Sequence, residues 1–157
     1  MGLAYAGGNA AFTPSTTNDN WTLDVSGTTG LVARVLTIGW GGRETASVAY
    51  ATRWTRPTAA GSGSATAITI ATTDPNYNSP LAKLTSTYGT SQPTLAADPA
   101  GNLHRQDWNG YGGLGYIVFP IAQPWLVISG VLTSQLSCRN ISGTTANVSS
   151  YHVEWEE

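Results

Sequence analysis

The sequence predicts an all-β fold: an antiparallel sandwich of seven to eight strands in two sheets, preceded by a flexible N-terminal arm. Three observations lead there. Almost no stretch of the 157 residues carries the three-and-four spacing of an amphipathic helix. Thr, Ser, Val and aromatic residues dominate, as they do in strands. The chain is also interrupted at short intervals by 18 Gly and 8 Pro, the turn signals of a sandwich or barrel.

The elements follow in order. NWTLDVSG alternates Trp21, Leu23 and Val25 and ends in a turn at Gly27 to Gly30. LVARVLTIGW is a continuous apolar run with one arginine, the pattern of a central strand, and Gly41-Gly42 breaks it. TASVAYATRW alternates Ala46, Val48, Tyr50, Thr52 and Trp54 against smaller residues. After the flexible PTAAGSGS comes one short strand, ATAITIA. Thr72 to Gly101 reads as a loop-like excursion with a helical turn at Leu81 to Leu84. GYIVFPI and PWLVISGVL are two dense apolar strands with a corner at Pro120 and Pro124. SQLSCRNI and NVSSYHVEW are expected to form a hairpin across ISGTTA. No repeat or second domain emerges, so residues 1–157 form one domain with residues 1–12 as its arm.

Composition narrows the function. The net charge is -2, charged residues make up only 10% of the chain, and Lys83 is the sole lysine. No basic stripe exists to neutralise a phosphate backbone, which argues against a nucleic-acid partner. No apolar run approaches the roughly 18 residues a membrane helix needs. MGLAYAGGNAAF lacks a secretory n-region and h-region, and Ala6 fails the myristoylation pattern. These features predict synthesis in a reducing cytoplasm and no membrane partner. Cys138 is the only cysteine and alternates with apolar neighbours, so it reads as a small core residue.

Chemical motifs are weak. Glu154, Glu156 and Glu157 crowd the last strand, and paired carboxylates are what glycoside hydrolysis requires. The period of two decides against that reading. Tyr151, Val153 and Trp155 form the buried face, which turns Glu154 and Glu156 to water. His104 and His152 stand far apart in sequence and no nucleophile elbow accompanies them. Gly110, Gly112 and Gly115 match a dinucleotide-binding spacing but lead into a strand instead of a helix. No catalytic, cofactor or metal residue is therefore assigned, and the chain is expected not to be an enzyme.

Two segments read as contact surfaces. In DWNGYGG, Trp108 and Tyr111 stand beside Asp107 and Asn109. Such a group suits a protein contact, a sugar contact, or a Trp108 that lids the core over turn hydrogen bonds. In the first dozen residues, Leu3, Tyr5 and Phe12 are apolar anchors spaced by Ala and Gly. A disordered tail is the default for a terminus, and an arm that docks on a neighbouring subunit is the competing reading.

MGLAYAGGNAAF, WTLDVSG with LVARVLTIGW, TTDPNYNSPLAKLTSTYG, DWNGYGGLGYIVFP and the closing VEWEE together resemble small tailed-phage proteins that decorate or cement the capsid. The resemblance runs along most of the chain. It implies a jelly-roll-like sandwich that assembles as a homotrimer on the outside of the major capsid protein shell, hence a place on the virion exterior. Leu3, Tyr5, Phe12, Trp108 and Tyr111 are then the expected contacts with capsid or neighbouring subunit. The alternative is a carbohydrate-binding or receptor-binding sandwich of the virion, with a glycan as partner.

Overall fold

The computed structural model describes residues 4–13, 15–76, 79–120, 122–131, 133–142 and 149–157, with the side chains of residues 10–12 also outside the description. Among the described residues there are fourteen strands and no helix. They are β1 (Ala4–Phe12), β2 (Asp19–Asp24), β3 (Val32–Gly42), β4 (Ala49–Thr55), β5 (Pro57–Ala59), β6 (Ala65–Ala67) and β7 (Ile70–Thr72). The chain continues through β8 (Lys83–Tyr88), β9 (Thr94–Leu95), β10 (Asn102–Asn109), β11 (Leu114–Val118), β12 (Trp125–Ile128), β13 (Gln135–Ser142) and β14 (Ser149–Glu156).

Two six-stranded antiparallel sheets pack face to face as a β-sandwich. The first runs β11-β3-β14-β1-β7, with β12 also paired to β3. The second runs β10-β4-β13-β2-β8-β6, and β5 and β9 form a separate ribbon. The core lies between the sheets. Tyr5, Val35, Ile38, Trp40, Tyr151, Val153 and Trp155 from the first meet Trp21, Leu23, Trp54, Leu84, Leu136 and Cys138 from the second. Ring pairs join it, Trp40 to Trp54 at 5.1 Å and Tyr5 to Trp155 at 5.8 Å. Cys138 is fully buried, as its alternation implies, and burial pushes its thiol well above the ordinary range.

Polar groups tie the layers together. The Asn140 side-chain carbonyl accepts from Asn20 at 3.0 Å, Thr52 at 2.8 Å and, across the sandwich, the Tyr151 hydroxyl at 2.8 Å. A second polar cluster sits on the far side of the second sheet. Arg139 Nε lies 2.5 Å from the fully buried Asp19 carboxylate, and Thr22 donates to the same group at 2.6 Å. Burial pushes the Asp19 carboxyl up, and the guanidinium and hydroxyl pull it back.

Several expectations give way here. Residues 4–12 are no free arm: β1 pairs with β14 on one side and β7 on the other. An Ala- and Gly-rich segment has little strand propensity alone, but two neighbours satisfy its backbone and Tyr5 enters the core. Thr72 to Gly101 is no single loop either, because it contains β8, paired with β2 and β6. The helical turn at Leu81 to Leu84 is instead a bend leading into that strand. The part after β8 lies over the second sheet, where the Pro93 carbonyl accepts from Arg139 at 2.9 Å and the Ala96 carbonyl from Arg53 at 2.9 Å.

ATAITIA divides between sheets, with β6 in the second and β7 in the first. The strand read from Ala46 starts at Ala49. β13 and β14 do not form a hairpin. They belong to opposite sheets, because each is apolar on its inner face and each finds two partners in its own layer. Most of the expected turn between them falls outside the described residues.

Since Tyr5 is 2% exposed and its ring packs tilted against Trp155, Tyr5→Ala should cost about 3–5 kcal/mol. Removing residues 1–12 should abolish the cooperative melt instead of leaving a folded sandwich. Urea unfolding of both variants checks this; near-native stability of the truncated chain would contradict the placement of β1.

Candidate functional site

The outer face of the first sheet follows from the same alternation that builds the core. On β14 the odd positions Tyr151, Val153 and Trp155 are buried, leaving Ser150, His152 and Glu154 facing outward. The register then sets three rows across the strands. Leu114, Gly41 and Ser150 form one; Tyr116, Gly39, His152 and Gly8 the next; Val118, Thr37, Glu154, Ala6 and Ala71 the third. The middle of this face therefore carries almost no side-chain bulk. The result is an open trough of about 560 Å³ that crosses from Thr69 and Ala71 to Leu114 and Tyr116, with His152 and Ser150 between.

Glu154 is the electrostatic centre of the face. Thr37 donates its hydroxyl to one carboxylate oxygen, Tyr116 donates to the same oxygen at 3.4 Å, and His152 Nε2 sits 3.2 Å from the other. The Thr37 hydroxyl is the main reason its carboxyl lies below the usual range; partial burial opposes this, and His152 and Tyr116 reinforce it. Glu156 reaches Arg34 at 3.0 Å across the same face. Both carboxylates lie on the outer face, as the alternation implies. His104 belongs to the other sheet, where its ring packs against Trp54 at 5.5 Å and burial lowers its pKa. The two histidines do not converge, and among the described residues no group of three His, Cys, Asp or Glu could hold a metal ion.

Beside the trough runs an apolar rail. β11 and β12 pair successively along the same side of β3. β11 alternates its burial, so Leu114, Tyr116 and Val118 are 83%, 55% and 67% exposed. Ile128 on β12, Val131 beyond it and Tyr111 before β11 are exposed too. Several exposed apolar residues along one sheet edge are the kind of surface that marks interactions, although Arg34 and the half-buried Leu126 lie between Val118 and Ile128.

Among the expected contact residues whose side chains are described, only Tyr111 is freely exposed, on the turn between β10 and β11. Trp108 lies in a strand, not a loop. Its ring stacks on Tyr50 at 5.0 Å and its Nε1 donates to Thr52 at 3.0 Å, which makes it a core lid. Tyr5 is in its own subunit's core, Phe12 pairs with Ser149 through its backbone, and Leu3 lies outside the described residues. Sequence reading missed Leu114, Tyr116, Val118, Gly39 and Gly41. The signal available was the alternation of small residues in TIGWGG.

Comparison with protein-family models, with curated proteins and with solved structures returned no match.

The depressed Glu154 value gives a pH test. A lowered folded-state pKa contributes stability above the unfolded value of 4.5, and that contribution is lost as pH falls through the folded value. The side chain is about one-third exposed, so Glu154→Gln should cost about 1 kcal/mol or less at neutral pH. It should also flatten the fall of melting temperature below pH 4.5. Melting curves at pH 3 to 7 check both; an equal acid slope in the two chains would refute the assignment.

Proposed function

We propose that this chain is a structural virion protein that decorates and stabilises a tailed-phage capsid, binding the outside of the major capsid protein shell as a homotrimer. The observation that carries the reading is the apolar rail Leu114, Tyr116, Val118, Ile128 and Val131 along one edge of the first sheet. A surface with so few charges gives little protection to such a strip. Burial against a neighbouring subunit or the shell removes it from water at about 25 cal/mol per Å² of apolar area. The resemblance of the sequence to capsid-decorating proteins supplies the partner, and jelly-roll-like connectivity belongs to the same proposal.

The physics of such a role is coherent. Contacts that rely on apolar burial and neutral hydrogen bonds are little affected by salt, whereas exposed ion pairs are screened. A trimer that engages several capsid subunits at once gains by effective concentration, so each contact can be modest. The rail, in place of the N-terminal residues, carries the docking in this reading.

The test uses Val118→Asp combined with Ile128→Asp, both at exposed positions. Sedimentation velocity should show a trimer at micromolar concentration for the natural chain and a monomer for the variant, with melting of the monomer fold preserved. Co-sedimentation with capsid shells lacking the protein should be lost in parallel. A monomeric natural chain that ignores such shells would sink the proposal.

A further inference from the structure

The floor of the trough is unusual for a sheet face in water. Outward strand positions favour Thr, Val, Tyr and other side chains that pack over the backbone. Here the central strands β3, β14 and β1 offer Gly39, Gly41, Ser150, His152, Ala6 and Gly8. Packing does not demand all of these glycines. A Cβ on Gly41 would meet only the Ser150 hydroxyl, at 3.1 Å, with open space otherwise. A bare glycine inside a strand marks a place where something else approaches the backbone closely. At one end stands Tyr116, its ring edge 3.0 Å from where a Cβ of Gly39 would lie and more than half its surface exposed.

We propose that this trough binds a chain of neutral sugar residues laid across the strands. Five strands spaced about 4.8 Å apart make it roughly 19 Å long, extended in the manner of an oligosaccharide. Its volume of about 560 Å³ lies in the range of small-ligand sites. The C–H faces of the rings rest on Tyr116 and on the glycine backbone, while hydroxyls, which both donate and accept, meet His152, Ser150 and the margin at Glu154.

Other occupants fit less well. A peptide strand finds no free backbone partners on a face whose strands are already paired with one another. An apolar ligand would strip water from His152 and Ser150 without replacing its hydrogen bonds. Phosphate-bearing or acidic ligands meet the Glu154 carboxylate at the margin, while the Arg34 guanidinium on the same face is already paired with Glu156. The site is separate from the capsid reading: the two share the Leu114 and Tyr116 wall, but Val118, Ile128 and Val131 do not line the trough.

The experiment is calorimetric titration of the full chain with cellohexaose, maltohexaose, xylohexaose and mannohexaose. At least one should bind, and Tyr116→Ala and Gly41→Val should each weaken that binding about ten-fold or more. Tyr116→Ala should melt like the natural chain, since Tyr116 is exposed, and Gly41→Val should stay folded, since only the Ser150 hydroxyl, 3.1 Å from the added Cβ, has to give. Val118→Asp should bind sugar as tightly as the natural chain whatever it does to capsid binding or assembly. The proposal is overturned if the natural chain binds none of these sugars at millimolar concentration, or if Gly41→Val binds undiminished. It is equally overturned if Gly41→Val abolishes self-association of a chain that binds no sugar, which would give the trough to a second copy.

Discussion

The core and the candidate site both rest on the register of β14. The strand is paired on both sides, with β3 and with β1, so it cannot slip without exposing Tyr151, Val153 and Trp155 together. Those three side chains anchor the first sheet in the core and, through the Tyr151 hydroxyl on Asn140, attach it to the second. Because the alternation is strict, the same constraint puts Ser150, His152 and Glu154 in a line on the opposite face. Core and candidate site are two readings of one strand.

That duality explains the uneven division of labour between the sheets. The outer side of the second sheet is roofed by the segment around Pro93 and Ala96, and its Arg139–Asp19 pair is withdrawn from water. Such a pair is weak evidence of added stability, since desolvation offsets much of the attraction. It does fix how the roof meets the sheet, because Arg139 also donates to the Pro93 carbonyl. Among the described residues the outer side of the first sheet has no such cover at its centre, and its edge carries exposed apolar residues. One face is closed by the chain itself and the other is open at its centre.

Local pattern was legible in the sequence and non-local pairing was not. Trp21 and Leu23, the long apolar run of β3, and Tyr151 to Trp155 announce buried strands, because side-chain burial with period two is written in adjacent residues. β1 escaped notice for the opposite reason: Ala4, Ala6, Gly7 and Gly8 have no strand preference, and what holds them is hydrogen bonding to β14 and β7. The hairpin expected of β13 and β14 failed because both are apolar and close in sequence, and nothing local says which sheet each joins. Val118 lies in the dense apolar run GYIVFPI, and its exposure follows from its place on the outer face of an edge strand, which the run itself does not announce. The trough was the least legible feature, since its floor comes from β3, β14 and β1, and no one of them forms it alone.

The pairing of β1 with β14 has a kinetic side. Ala4 lies opposite Glu156, so the contact closes nearly the whole described chain into one loop. β1 must therefore remain without its main partner while every intervening strand is synthesised, able at most to pair with β7. Contacts of such long sequence separation slow folding, because the entropy of loop closure is lost before the contact forms. During that interval Tyr5 has no Trp155 to pack against, and the Ala- and Gly-rich composition of β1 becomes useful in its own right. A segment with low hydrophobicity and little strand propensity is a poor nucleus for misassociation between nascent chains. The composition that made β1 look like a loose arm suits a strand that has to wait.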